Sequence, residues 1–348
     1  MSCYDHVRDL ALIVDGYALD GLEQNVSSDF LRKTTVIRLQ GGGTEGVGED
    51  VTYAAEEHDA QLQRGPVLPL AGAWTLHTFS EHLAALPLFD HEPEQQAYLD
   101  YRRWGFESAA LDLALRQAGV SLGDAIGRTT RPLTFVVSTN LGKPPTIARV
   151  TAWLELYPSL GFKLDAIPEW TDELVAELAE QDAVAGVDFK GQYRGTSVDT
   201  PPDAGLYRRV AEGLPDAWLE DPGLTPETEA VLAPHRDRVT WDAVIHSVSD
   251  IEALPWAPRM VNVKPSRFGS VERLFAAYDY CSAKGIGAYG GGQFELGPGR
   301  GQIQLLAALF HPDAPNDVAP GGFNVAPRPG LPASPLALTP RVTGFGLA

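Results

Sequence analysis

Two kinds of hydrophobic spacing divide this chain. In the first sixty residues, apolar and β-branched side chains gather in Leu10–Tyr17 and Thr34–Leu39. A polar stretch, Asp20–Asp29, lies between them, and Gly41-Gly42-Gly43-Thr44-Glu45-Gly46-Val47-Gly48-Glu49 follows. This spacing predicts an antiparallel meander with mobile loops near 18–28 and 41–49. From 60 to 128 the period becomes helical. In Phe106–Gln117, residues Phe106, Ala109, Ala110, Leu113 and Ala114 form one apolar stripe, and Gly119 is placed to cap the helix end.

After residue 132, short β runs alternate with helical runs. The β runs are Leu133–Ser138, Gly161–Leu164, Gly186–Phe189, Trp218–Glu220, Val239–Trp241, Met260–Val263 and Ile286–Tyr289. Helices are expected at Asp172–Gln181, Ala204–Glu212 and Ser270–Ala283. Such alternation predicts a parallel sheet with crossover helices, and so many right-handed units predict a closed barrel. Closure needs an eighth strand near Asp317–Ala319. The Pro- and Gly-rich tail 321–348 is expected to pack back on the first domain. The domains expected are 1–130 (with 321–348) and 131–320.

Five of these runs end in a charged residue: Lys163, Asp188, Glu220, Asp242 and Lys264, at steps of 25, 32, 22 and 22 residues. A βα unit has about that length, and a barrel builds its site at the C-terminal strand ends. Asp188, Glu220 and Asp242 then converge. Three crowded carboxylates repel one another, so at least one takes a proton unless a cation intervenes. Hard oxygen ligands suit Mg²⁺, with Mn²⁺ as the alternative. A lysine near such an ion, partly desolvated, has its pKa lowered and could remove a proton beside a carboxylate.

Composition narrows the partners. The net charge of −19 argues against nucleic acid and anionic membranes. No apolar run approaches a membrane span of about 20 residues. Two cysteines, Cys3 and Cys281, form no disulfide framework, and no leader pattern opens the sequence, so a cytoplasmic location is expected. Gly285-Ile286-Gly287-Ala288-Tyr289-Gly290 spells a dinucleotide fingerprint, but no helix opens inside it. Gly297-Pro298-Gly299-Arg300-Gly301 precedes a helical run; it reads equally as an anion site at the helix N-terminus or as a plain turn.

The pattern resembles the enolase superfamily, in the branch of muconate-lactonising enzymes, dipeptide epimerases and o-succinylbenzoate synthases. Trp218-Leu219-Glu220-Asp221-Pro222 is similar to that family's strand ending in Glu-x-Pro. Asn262-Val263-Lys264-Pro265-Ser266 with Gly269 is similar to its sixth strand. Asp188-Phe189-Lys190-Gly191 and Gly285–Gly291 resemble strands of methylaspartate ammonia-lyases. The resemblance implies an α/β fold, a (β/α)7β-type TIM barrel with an α+β N-terminal capping domain. It implies a Mg²⁺-dependent lyase or isomerase that takes the α-proton of a small carboxylate to a metal-stabilised enediolate. Epimerisation, cycloisomerisation and β-elimination all remain open. Asp188, Glu220 and Asp242 would hold the metal, and Lys264 and Lys163 would move protons. Lys190, Asp165 and Glu295 would meet the substrate, in a homo-oligomer.

Departures from the family pattern matter. The usual Lys-x-Lys is Lys163-Leu164-Asp165, so either Lys163 keeps the base's place or Asp165 takes it. The usual Asp-x-Asn is Asp188-Phe189-Lys190. Two rivals stand beside the enzyme reading: a Schiff-base aldolase using Lys264 or Lys163, and an inactive barrel that only binds a small acid.

Overall fold

The computed structural model describes residues 2–26, 30–196 and 198–348. Strand β1 (Ala11–Val14) pairs antiparallel with β5 (Gly72–Thr75). Strands β2 (Gly16–Asn25), β3 (Leu31–Gly41) and β4 (Thr44–Asp50) form an antiparallel sheet. The meander is therefore present, but its two expected loops are largely strands. The stretch 18–25 belongs to β2, and residues 27–29 lie outside the described residues. The stretch 44–49 belongs to β4, and the turn before it is Gly42-Gly43 alone, with φ of 58° and 77°. Two residues at positive φ match a tight hairpin to the strand twist. Gly46 and Gly48 are glycine for a different reason: helix α3 crosses β4 at van der Waals contact. A Cβ on Gly48 would meet the carbonyl oxygen of Gly105 at 2.1 Å.

The capping helices are α1 (Ala55–Arg64), α2 (Leu76–Ala84), α3 (Ala97–Ala118) and α4 (Leu122–Ile126). The α3 helix is longer than its aliphatic stripe, because buried Tyr98, Tyr101 and Trp104 extend the stripe toward the N-terminus. Gly119 ends it in the left-handed conformation, its amide bonded to the carbonyls of Leu115 and Arg116.

Strands β6 (Val136–Asn140), β7 (Gly161–Asp165), β8 (Val184–Asp188), β9 (Trp218–Glu220) and β10 (Val239–Thr240) form a parallel sheet in that order. Strands β11 (Met260–Val263) and β12 (Gly287–Gly290) form a second parallel pair. The Asn262 amide donates to the Trp241 carbonyl and stitches the two groups together. Helices α5 (Ala148–Leu156), α6 (Asp172–Glu180), α7 (Ala204–Gly213), α8 (Pro226–Leu232), α9 (Val248–Glu252), α10 (Pro265–Phe268), α11 (Val271–Lys284) and α12 (Pro298–Phe310) lie between the strands in sequence. This is the barrel that the alternation predicts.

The eighth strand is reduced to single parallel bridges, Phe135 with Asn316 and Gly291 with Asp317. A side chain does the rest of the closing. Asn316 Oδ1 accepts from the Gly290 amide at 2.7 Å, and its Nδ2 donates to the carbonyls of Thr134, His311 and Ala314. That arrangement leaves Oδ1 only accepting, so His311 donates to it from Nδ1 at 2.6 Å. The tail runs from Leu336, bridged to Leu133, to Phe345. The Phe345 amide donates to Asp112 of α3, and its ring meets Trp104 edge-on. Among the described residues no helix is long and apolar enough to cross a membrane.

Two measurements check this packing. Gly48→Ala should cost at least about 2 kcal/mol in urea unfolding, since backbone atoms cannot make room for the new carbon. Burial pushes the His311 imidazole down to about 4. The unfolded chain, near 6.5, then binds the extra proton between those values. Stability from this group is present above about pH 6.5 and lost as pH falls toward 4, by about 3 kcal/mol at most. His311→Gln should flatten the stability–pH curve in that window; an unchanged slope would show that His311 is protonated in the folded barrel.

Candidate active site

Side chains alternate along a strand, so β7 turns Lys163 and Asp165 to one face, and β8 turns Asp188 to the same face. β9 adds Glu220, and Asp242 and Lys264 follow the last residues of β10 and β11. All seven sequence candidates from the strand ends, Lys163, Asp165, Asp188, Lys190, Glu220, Asp242 and Lys264, are brought into one polar cluster. Asp188, Glu220 and Asp242 are each at most 2% exposed.

The cluster is organised by cations. Lys163, beneath the others, donates to Glu220 Oε1 and lies 3.4 Å from Asp317 Oδ2 and 3.7 Å from Asp188 Oδ2. Lys190 Nζ is 2.6 Å from Asp188 Oδ2 and 3.1 Å from Asp165 Oδ1. Lys264 Nζ donates to Asp242 Oδ2 at 2.9 Å, and Arg267 Nη1 donates to Asp242 Oδ1 at 2.6 Å. Tyr193 donates to Asp242 Oδ2 at 2.9 Å, and Tyr289 donates to Glu220 Oε2. Asp221 accepts from the amides of Asp242 and Ala243, both at 2.8 Å, and so fixes the chain where it leaves β10.

The acids differ in protonation. Burial would raise Asp242, yet Arg267 and Lys264 hold it well below the usual carboxylate range. Burial is likewise outweighed at Asp188 by Lys190 and Lys163, which lower it. Glu220 goes the other way: burial and repulsion from Asp188 and Asp242 exceed the pull of Lys163 and push it well up. Burial, with Asp242 and Asp188 nearby, lifts Asp221 to about 7. The sequence predicts a lowered Lys163. Burial does act in that direction, but Glu220, Asp317 and Asp188 outweigh it and hold the ammonium well above its ordinary value.

The tightest carboxylate group also differs from the expected trio. Oxygens of Asp188, Glu220 and Asp221 lie within 4.8 Å of one another, whereas Asp242 stands apart from that group, drawn toward Lys264 and Arg267. Sequence reading passed over Asp221, Arg267, Tyr193, Tyr289 and Asp317. Tyr289 could have been found by counting in twos along β12, where it pairs with Asn262. Tyr193 lies on a loop and has no periodic signal.

Glu295 is buried but engaged: it accepts from the Gln293 amide at 2.7 Å and pairs with Arg300 at 3.1 Å. The α12 N-terminus is not open to an outside anion. Glu49 of β4 already accepts from the amides of Leu296, Gly297 and Gly299.

A divalent ion suits this donor set. Six buried or part-buried carboxylates, Asp165, Asp188, Glu220, Asp221, Asp242 and Asp317, face four cations, Lys163, Lys190, Lys264 and Arg267. The cluster is two positive charges short of neutrality, and burial with mutual repulsion raises Glu220, Asp221 and Asp165 where that deficit is felt. Both amide atoms of Asn262, 1% exposed and two residues before Lys264, lack a partner, so hydrogen-bonding capacity is also unspent there. Lys163→Met removes the ammonium that three acids share. It should cost about 3–5 kcal/mol in guanidinium unfolding without added metal. A cost below about 1 kcal/mol would show that the acids carry protons and do not need it.

Residues 5–125 and 129–325 match the N-terminal and C-terminal domains of a family described as Domain of unknown function (DUF8230). The chain is 27% identical over 222 residues to an o-succinylbenzoate synthase of Geobacillus kaustophilus, covering 61% of this chain and 57% of that protein. It is 27% identical over 231 residues to an N-succinylamino acid racemase of Amycolatopsis sp, covering 64% and 60%. The matched segments thus span under two thirds of these relatives' length. A muconate lactonizing enzyme from Pseudomonas fluorescens, complexed with muconolactone, superimposes with a TM-score of 0.68 at 19% identity, covering 97% of this chain and 96% of that one. An enolase-superfamily member from Listeria innocua gives 0.65 at 18%, covering 89% and 86%. At such identities the likeness is one of fold. The chain belongs to the DUF8230 family, and it carries the cap-and-barrel fold of the enolase superfamily.

Proposed function

We propose that the protein is a Mg²⁺-dependent lyase or isomerase that removes a proton α to the carboxylate of a small acid. The observation that carries the reading is the charge deficit of two at the strand ends, beside a lysine held at the rim by Asp242. Asp188, Glu220 and Asp242 would hold the ion, with Asp221 fixing the backbone of Asp242. Bound there, Mg²⁺ supplies Lewis-acid polarisation of the substrate carboxylate, which acidifies the adjacent carbon.

Lys264 takes the α-proton at Nζ. Arg267 and Tyr193 keep Asp242 anchored while that lysine moves between charge states. Lys163 neutralises the floor of the site; its three acid partners leave it poorly disposed to act as a base. Asn262 offers a donor and an acceptor to the substrate from the strand that bears Lys264. Residues 1–130 with the tail form the cap over this site, and 131–320 the catalytic barrel. The two curated relatives, a synthase and a racemase of succinylated compounds, make N-succinylamino acids the first candidates. We also propose a cytoplasmic protein, in keeping with free Cys3 and Cys281.

The test is deuterium exchange into the α-position, followed by NMR, over N-succinylamino acids, muconolactone and 3-methylaspartate. Exchange should require Mg²⁺ or Mn²⁺, cease in EDTA, and disappear with divalent-ion binding in Glu220→Gln. Lys264→Met should retain ion binding and lose about 10²–10⁴-fold in exchange rate. Exchange that survives EDTA would reject the metal role.

A further inference from the structure

We infer that the second ammonium facing the substrate, across the site from Lys264, is that of Lys190, and that Asp165 is its positioning residue. The inference rests on the proposed function for the identity of the pocket, and on geometry for the residues.

Strands β7 and β8 run parallel with Asp165 and Asp188 in register. Lys190 follows Asp188 by two residues, at φ +54°, a left-handed conformation that non-glycine residues seldom adopt. That turn folds the chain back over the strand ends. The Lys190 amide donates to Asp188 Oδ1 at 2.9 Å, while its Nζ reaches Asp188 Oδ2 and Asp165 Oδ1. The β8 lysine therefore lies over the end of β7, above the carboxylate of Asp165. Strained backbone of this kind persists where the surroundings hold it, often at a functional site.

Lys163, which β7 itself provides, is a poor candidate for this position. Its side chain is 5% exposed and spent on three acids, whereas that of Lys190 is 20% exposed. Asp165 has a reason to be an acid in this arrangement. Asp188 would have to share its carboxylate between a bound ion and the Lys190 ammonium, and Asp165 is the second carboxylate within reach of that ammonium. The acid on β7 and the lysine on β8 thus act as one exchanged pair, delivering from the neighbouring strand a charge that β7 does not place at the rim.

The pair is tested by calorimetric binding, independent of turnover, with Mn²⁺ alone and then with malonate at saturating Mg²⁺. Lys190→Met removes a competitor and should tighten Mn²⁺ by about tenfold, and it should weaken malonate by about tenfold or more. Asp165→Asn leaves Lys190 on Asp188 and should weaken both. The charge-reversed variant D165K/K190D returns the ammonium to β7 and should bind malonate within about threefold of wild type, which loss of fold would not allow. Malonate binding unchanged in Lys190→Met, or absent from the wild type, overturns the assignment. Failure of the functional reading looks different: no proton exchange on any substrate, with malonate binding still dependent on Lys190.

Discussion

Burying carboxylates together is the constraint on which this structure depends. Asp188, Glu220 and Asp221 share less than 5 Å of space inside a barrel that excludes water, and Asp242 is close enough to disturb all three. Each acid costs several kcal/mol to desolvate unless a partner compensates. The partners come from every side: Lys163 from below, Lys190 from the adjacent strand end, Lys264 and Arg267 from β11 and α10. The Tyr289 hydroxyl satisfies the Glu220 oxygen that Lys163 leaves free, and Tyr193 adds a second donor to the Asp242 oxygen that Lys264 holds. Even so the balance stays negative, and the shifted acids show where the deficit lies.

The cap is fastened to the barrel beside this cluster by two sets of contacts. Arg32, fully buried on β3, donates to the carbonyls of Gln293 and Phe294 beyond β12, and to those of Val51 and Thr52 within the cap. Glu49 on β4 closes the N-terminus of α12 with its carboxylate, where a helix dipole favours negative charge. Both contacts run from regular strands to the β12–α12 loop. Tyr53, just after β4, adds a third tie, its hydroxyl donating to Gln293. Three of the positive-φ residues that are not glycine, Lys190, Asp221 and Phe294, follow barrel strands around the same mouth, so backbone strain is concentrated where the charges meet.

Fold and reaction rest on different footing. A cap and barrel that superimpose on muconate lactonizing enzymes over nearly the whole chain establish architecture. Chemistry depends on which side chains the strand ends carry, and folds of this type host many reactions. Here the second and third strands carry charges in an unusual order, lysine and acid on β7, acid and lysine on the turn from β8. A reaction assigned by fold alone would overlook that difference.

Much of this was legible in one dimension. Alternating β and helical runs after residue 132 specify a parallel barrel, because each strand is covered by the helix that follows it. The regular steps between Lys163, Asp188, Glu220, Asp242 and Lys264 place their side chains on one rim. The glycines of 41–49 misled, because a glycine chosen for close helix contact looks the same in sequence as one chosen for a turn. Likewise Asp317 and Asn316 sit in a segment too short to show a strand period, yet they pair with Lys163 and close the barrel. The order of charges and the strands that bear them follow from the amino-acid order alone. Which charges pair emerges on folding: Asp221 joins the acids, Asp242 leans toward Lys264 and Arg267, and Lys190 crosses to Asp165. Pairing depends on distances of a few ångströms between residues far apart in the chain, and local periodicity carries no information about those distances.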